Sequence, residues 1–301
     1  MTGGKIRTIE EAAALVRDGE HLALSGFACA RNATAFSHAL IRRGARDLTL
    51  SQCVLGLDAD LLVGAGAVRR VIYGGGSLDR FGQLQRVNQA IERGAIEFEY
   101  LSSLAVAFRY LAGALGLPFK PIKSMLGSDL LARQRAVAPE TVRELDDPFT
   151  GERLLLLRAM RPDVAVVQAQ VADDEGNARI FGPRWETNEA AKAAQMVIVV
   201  CEEIVPTETI REMPELTVIP GIRVDAVVPL AWGAHPTSLY RRYDHDAAHL
   251  RLYVEASRTQ AGFDAYLREY VLDTGTHGRY LERVGGPDRL AGLTADPERG
   301  Y

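Results

Sequence analysis

Two stretches of this chain are apolar with almost no interruption: Val164 to Val171 reads VAVVQAQV, and Met196 to Val200 reads MVIVV. A strand with one wet face alternates apolar and polar residues, because successive side chains point to opposite sides. Runs this continuous suit strands covered on both faces, the condition of a parallel sheet held between helices. The fold class implied is α/β, an open, mostly parallel sheet in three α/β/α layers. The same runs are far shorter than the roughly 20 residues that cross a bilayer, so no membrane span is expected.

The rest of the chain falls into strand, loop and helix units around that sheet. Thr8 stands three residues before Glu11, a capping pair that opens an alanine-rich helix running to Arg17 and stopped by Gly19. His21 to Ser25 is a short apolar strand that halts at Gly26, and Thr34 to Arg43 is the next helix, ended by Gly44. Strands are also expected over 47–55, 68–73, 96–100, 120–124, 153–157, 164–171, 196–202 and 224–228, with helices over 84–93, 105–115 and 187–195. No internal repeat and no linker rich in Pro, Gly or Ser divides the chain, so residues 1–284 are expected to form a single domain. Residues 285–301 read GGPDRLAGLTADPERGY, a turn-rich C-terminal tail expected to be poorly ordered or laid on a partner as an arm.

Charge narrows the partners. The 35 Lys and Arg residues stand against 39 Asp and Glu, for a net charge of −4, and basic residues gather only in doublets such as Arg42-Arg43, Arg69-Arg70 and Arg241-Arg242. A nucleic-acid-binding protein carries a basic bias or stripe, so nucleic acid is excluded as the main partner. Three cysteines, Cys29, Cys53 and Cys201, are too few and too widely spaced for a disulfide framework or a four-ligand zinc site. With no hydrophobic stretch after the N-terminal MTGGKIR, the expected location is the cytoplasm.

Chemistry is expected where strands end on glycine, since ligands of open α/β sheets bind outside the carboxyl ends of the strands. Glycine-bearing loops follow strands at Gly26-Phe27-Ala28, at Gly74-Gly75-Gly76-Ser77 and at Gly127-Ser128. Such loops can present backbone N–H groups to a carbonyl oxygen or a phosphate, and each can equally be an ordinary turn. Neither the G-x-G-x-x-G nor the Walker pattern occurs at these strand ends, and no G-x-S-x-G elbow occurs, which removes support for nucleotide binding and serine hydrolysis. Asp173-Asp174-Glu175-Gly176-Asn177 lacks the alternating ligands of a calcium loop and reads as a tight turn. Glu202-Glu203 offer paired carboxylates at the end of a buried strand; the simpler reading has one solvated and the other capping backbone or pairing with an arginine. His235 precedes Pro236 with no nucleophile or acidic orienter identifiable beside it, and reads as a hydrogen-bonded loop histidine. His245 and His249 have the spacing of helical metal ligands, but no H-E-x-x-H pattern surrounds them, so they read as a surface pair and no metal is expected.

Taken in order, SGFACARNATAF, LGLPFKPIKSMLGSDL, RPDVAVVQAQVADDEGNARIFG, VIVVCEEI, IPGIRVDAVVPLAWGAHPTSLY and YDHD resemble the A (alpha) subunits of family I CoA-transferases, most closely the glutaconate type, from about Ile6 to Gly285. The resemblance implies the CoA-transferase superfamily fold and a partner B (beta) subunit of similar fold, in a hetero-oligomer of paired A and B chains such as a heterotetramer. It implies that CoA moves between an acyl-CoA thioester and a carboxylic acid, with coenzyme A thioester as substrate and no permanently bound cofactor. In such enzymes a glutamate carboxylate attacks the acyl-CoA to form a mixed anhydride, which CoA thiolate converts into an enzyme-bound glutamyl-CoA thioester. The resemblance places that glutamate on the B subunit, so no nucleophile is assigned to this chain. Glu175, in Glu-Gly-Asn rather than Glu-Asn-Gly order, stays a turn residue.

By the same resemblance, Gly26, Phe27 and Ala28 match the loop that helps form the oxyanion and thioester site, and Arg31 matches an arginine just behind it. Gly74, Gly75, Gly76, Ser77, Gly127 and Ser128 fall on loops expected to face substrate or CoA. Two departures stand out: Ser25 occupies the place of a usual first glycine, and the triple glycine lacks bulky polar side chains to grip a dicarboxylate, which argues against glutaconate itself. Steroid-degrading relatives of the alpha subunit, CoA-thioester or ring-opening C–C hydrolases, are similar too. They use a glutamate in the segment equivalent to Leu101-Ser102-Ser103-Leu104, where this chain has the substrate-binding candidates Ser102 and Ser103. A hydrolase acting on CoA-linked steroid-type catabolites is therefore the alternative.

Overall fold

The two apolar runs lie side by side at the centre of the molecule. The computed structural model describes residues 4–296 and 299–300. In chain order its strands are β1 (His21–Leu24), β2 (Leu48–Gln52), β3 (Val68–Tyr73), β4 (Glu97–Tyr100), β5 (Phe119–Ile122), β6 (Val142–Asp146), β7 (Arg153–Arg158), β8 (Val164–Ala172), β9 (Ala178–Arg179), β10 (Met196–Ile204) and β11 (Ala226–Pro229). β8 and β10 pair in parallel from Val164 against Met196 to Ala172 against Ile204. The main sheet runs β11-β10-β8-β1-β2-β3-β4, all parallel, with β9 added antiparallel beside β8. β5, β7 and β6 form a separate antiparallel sheet.

The helices are α1 (Ile9–Leu15), α2 (Thr34–Arg43), α3 (Leu57–Gly64), α4 (Gln85–Glu92), α5 (Ser103–Ala114), α6 (Asp129–Val137), α7 (Thr187–Ala193), α8 (Thr207–Glu212), α9 (Ala247–Ser257), α10 (Gln260–Leu267), α11 (His277–Arg283) and α12 (Gly286–Ala291). Alternation along the buried strands sorts their side chains into two cores. Leu22, Leu24, Val164, Val166, Ile198 and Val200 join Phe36 of α2, Leu61 of α3 and Tyr253 of α9. Ala23, Ala165, Val167, Val197 and Val199 join Tyr110 of α5, Ala190 of α7 and Leu155 of β7. Each buried Val or Leu contributes about 1.5–3 kcal/mol of transfer free energy, which is why both faces of the sheet are covered. The result is the expected three-layer, mostly parallel α/β/α fold.

Several elements differ from the sequence expectation. α3 carries Asp58 and Asp60 on its first turns, both fully buried, so no apolar stripe marks it. The Asp58 carboxylate accepts from the N–H of Ala33 at 3.2 Å, and that of Asp60 from the N–H of Val87 at 2.8 Å and the Tyr253 hydroxyl at 2.6 Å. Three C-terminal helices that the sequence reading does not assign start at side-chain caps: Asp246 for α9, Thr259 for α10 and Thr276 for α11. The segment expected as a loose tail instead folds back on its own chain. α12 buries Leu290, Arg289 grips Asp246 at 2.9 and 2.7 Å, and the Ala295 N–H donates to the Arg242 carbonyl. Residues 297, 298 and 301 of that tail lie outside the described residues.

Strand order positions the site. From β1 the sheet extends through β2, β3 and β4 on one side and through β8, β10 and β11 on the other. Connections diverge at such a reversal and leave a crevice at the carboxyl ends of the strands, here those of β1 and β8.

Candidate active site

β1 delivers the first loop into that crevice. Its end is held by Ser25, whose hydroxyl accepts from the Gln168 main-chain N–H at 2.8 Å and whose carbonyl accepts from Gln52 Nε2 at 3.1 Å. Gly26 follows with φ of +103°, and a Cβ there would lie 2.6 Å from the Arg31 carbonyl oxygen and 2.8 Å from that of Ala30. Phe27 and Ala30 then exchange two hydrogen bonds of 2.9 Å, closing a tight turn. The Phe27 N–H is thus used internally, and the Ala28 N–H reaches the Val54 carbonyl at 3.4 Å. The Gly26 N–H makes no hydrogen bond among the described residues, so it is the amide this loop holds available.

Arg31 lies buried behind the turn, as the arginine expected there. Its guanidinium donates to Thr187 Oγ1 at 3.0 Å and to the carbonyls of Arg184, Pro183 and Gln168 at 3.2–3.4 Å, and it lies over the Trp185 ring at 5.2 Å. Burial lowers its pKa to about 10, with the Glu186 carboxylate opposing, so it remains a cation at neutral pH. These bonds hold it in the cleft wall, while its Nε and one Nη1 hydrogen make no hydrogen bond among the described residues. Phe27 stacks on the other side of the same wall, 5.1 Å from Trp185.

The triple-glycine loop is joined to the first by main-chain bonds, and the Gly127 loop to that assembly through serine hydroxyls. Val54 and its neighbours, following β2, are fastened to the triple glycine: the Gly74 N–H donates to the Cys53 carbonyl at 2.9 Å, the Leu55 N–H to that of Gly75 at 2.8 Å, and the Ser77 N–H to that of Leu55 at 3.3 Å. A Cβ on Gly74 would fall 2.4 Å from the Ser103 Cα, so glycine there lets α5 approach the sheet edge. Ser102 caps α5 through the Ala105 N–H at 3.2 Å, and its hydroxyl meets that of Ser124 at 2.8 Å. Ser124 belongs to the loop holding Gly127, at φ of +71°, and Ser128, whose hydroxyl donates to the Met125 carbonyl at 2.6 Å. The residues singled out in the sequence therefore form one ridge along the carboxyl edge.

Sequence reasoning missed the segment facing this ridge. Trp185 supplies the aromatic wall, and buried Glu186 accepts from the Cys53 N–H at 2.7 Å, its second oxygen making no hydrogen bond among the described residues. Burial raises its pKa. A cavity of about 240 Å³ opens between Arg31, Trp185, Phe181, Gln170, Tyr240 and Tyr243. At the end of β10, Glu202 accepts from the main-chain N–H groups of Trp232 and Gly233 at 2.5 and 3.1 Å and from the Tyr243 hydroxyl at 2.8 Å, while burial pushes its pKa up to about 7. Glu203 pairs with Arg242 at 2.7 Å on the surface, the division of roles expected for the two.

The other candidates lie apart from the ridge. Glu175 is exposed in its turn, 3.5 Å from Arg211. His235 is buried, its ring against the Tyr280 hydroxyl at 2.8 Å and Asp246 at 3.3 Å, so the acidic orienter invisible in sequence is Asp246. The expected surface pair of histidines does not exist: His245 sits beside Asp244, whereas His249 is buried against the Tyr266 hydroxyl at 2.8 Å, and burial pushes its pKa down to about 3. Among the described residues no group of His, Cys, Asp and Glu is arranged to hold a metal ion, and no helix is long and apolar enough to cross a membrane.

The family model described as coenzyme A transferase matches residues 6–230. The chain is 36% identical over 311 residues to the A (alpha) subunit of glutaconate CoA-transferase from Acidaminococcus fermentans, covering 99% of this chain and 97% of that protein. The crystal structure of the same enzyme superposes with a TM-score of 0.94 at 35% identity, over 99% of this chain and 98% of that one. The chain is also 34% identical to the A (alpha) subunit of 3-oxoadipate CoA-transferase from Pseudomonas knackmussii (93% of this chain, 98% of that protein). It is 30% identical to the IpdA component of the cholesterol ring-cleaving hydrolase from Mycobacterium tuberculosis (93% and 97%). With the family model spanning most of the chain and a relative 36% identical over nearly all of it, this protein belongs to the coenzyme A transferase family.

Proposed function

We propose that this chain is the alpha subunit of a heteromeric CoA-transferase, supplying one wall of an acyl-transfer cleft whose attacking glutamate comes from a B (beta) subunit. One observation carries this reading: the ridge offers an unbonded glycine amide and serine hydroxyls, whereas the carboxylates Glu186, Glu202 and Asp79 beside it each accept from main-chain N–H groups of this chain. The transfer needs a carboxylate nucleophile and donors for the oxyanion formed on attack, each donor worth about 3 kcal/mol. This chain carries the second requirement. The partner's glutamate attacks the thioester carbonyl and expels CoA thiolate, leaving a mixed anhydride. The thiolate then attacks the glutamyl carbonyl, releasing the free acid and forming the glutamyl thioester. An acceptor acid reverses these steps. The cavity beside Arg31, walled by Phe181, Trp185, Tyr240 and Tyr243, suits an acyl group with an apolar body. Paired A and B chains as a heterotetramer in the cytoplasm complete the proposal.

The test is to purify the chain with its B-type partner and follow CoA exchange between an acyl-CoA and a panel of free acids. Exchange is expected only when both chains are present, with a borohydride-trapped thioester on the partner. Full turnover by a verified monomer of this chain would overturn the assignment. The relative named as a hydrolase keeps a second reading in view, with Ser102 and Ser103 in the place of its expected glutamate. CoA release without any acceptor acid would favour it.

A further inference from the structure

The amino ends of the strands, on the edge away from the cleft, carry a cavity of about 590 Å³. It is lined by His21 and by five arginines: Arg69 and Arg70 at the start of β3, Arg109 of α5, Arg158 at the end of β7 and Arg161 in the β7–β8 connection. Buried Glu99 answers two of them, with Oε2 accepting from Arg109 at 2.9 Å and Oε1 lying 3.3 Å from Arg70. Gln134 donates to the same Oε2 at 2.6 Å, which fixes the carboxylate and with it the two guanidinium groups. Arg70 also reaches exposed Glu97 at 3.6 Å.

The other three arginines are exposed and have no carboxylate within ion-pair distance among the described residues. Arg69 and Arg161 donate only to main-chain carbonyls, of Asp47 at 3.0 Å and Leu117 at 3.2 Å. Glu140 is the one further carboxylate in the lining. In the lining five guanidinium groups stand against Glu99 and Glu140, with Glu97 beside Arg70 and Asp163 beside His21 at the margin, so the cavity carries an excess of positive charge. His21 registers the field: its pKa is pushed down to about 4 by burial and then by Arg109, with Arg70 and Arg69 adding to the effect and Asp163 opposing it.

We propose that this cavity binds a small molecule through a phosphoryl group, at a site separate from the acyl cleft. A phosphomonoester carries about −1.5 to −2 charges at neutral pH, so it answers clustered guanidinium groups more fully than a single carboxylate does. Arginine's planar fork meets phosphate oxygens in pairs, and the lining provides three forks with no competing anion. The volume accommodates a body of nucleotide size around that group.

Titration calorimetry of the full chain at low salt tests the site, with inorganic phosphate, adenosine 3′,5′-bisphosphate and citrate as probes. Saturable binding of a phosphate probe is expected, weakened at least tenfold in the double variant R158A/R161A, whose exposed positions leave the melting temperature unchanged. Equal weakening for both phosphate probes identifies the phosphoryl group alone as the ligand; weakening confined to the bisphosphate identifies a nucleotide-sized one. No saturable binding, binding indifferent to R158A/R161A, or a preference for citrate would each overturn the proposal.

Discussion

A side chain at Gly26 would meet the carbonyl oxygens of Ala30 and Arg31, and the first of these is pinned by the Phe27 N–H. Gly26→Val is therefore expected to push the turn outward and displace the free amide without disturbing the sheet beneath. The assembled enzyme should lose about 10²-fold or more in kcat, as for removal of one oxyanion donor, with its far-UV circular dichroism unchanged. A normal rate in a folded variant would remove Gly26 from the cleft. The strand that stops at this glycine was legible in sequence, but a glycine there can equally make an ordinary turn, so its expected place in the cleft came from the family resemblance. Glu186 was not legible: whether a carboxylate is solvated or buried against Cys53 depends on a β-strand more than a hundred positions away. Ser25 shows the opposite case, a departure that acquires a reason once its hydroxyl is seen to accept from the Gln168 N–H.

Among elements, legibility followed the simplicity of the pattern. β8 and β10 were readable because strands covered on both sides are apolar throughout, and α2 because Gly44, at φ of +76°, ends it in the left-handed region. α3 was not, since its buried face includes two aspartates that serve as main-chain acceptors. α9 to α11 were obscured because much of their core surface is tyrosine and histidine, residues that sequence patterns treat as half-polar: Tyr253, Tyr266, Tyr280 and His249 are all buried. α12 permits a direct test. Leu290 is 6% exposed and packs with Tyr280 and Val284, so Leu290→Ala should cost about 2–5 kcal/mol in denaturant unfolding. A loss below about 0.5 kcal/mol, the ordinary effect of a surface change, would show that the segment is an appended arm.

For the whole molecule, buried titratable groups set the response to pH. Burial raises Asp58 to about 7, Asp60 to about 6, Glu202 to about 7, and Glu186 as well. These groups favour the folded state below their unfolded values near 4, and that contribution is lost as pH rises toward 7. Burial lowers His21 and His277 to about 4, His249 to about 3, and His38 well below its usual value. The histidines act in the reverse sense: their contribution is complete above 6.5 and is lost as pH falls toward 4. Between about pH 4.5 and 6 the raised carboxyls and the lowered histidines oppose one another, so melting temperature should vary with pH less than either set alone would make it. Asp58→Asn removes one carboxyl from that balance and should tilt the dependence toward greater stability at higher pH by about 1.4 kcal/mol per unit in the same window, relative to the unsubstituted protein and whatever its fixed cost. An unchanged pH dependence would mean that Asp58 titrates normally. A different property follows from the ridge along the carboxyl edge, where the Gly26, Val54, Gly74 and Gly75 loops are tied carbonyl to amide. Such ties are indifferent to which residues flank them. A lineage can exchange the neighbouring side chains one at a time and be recruited to a new acid while inheriting the frame intact.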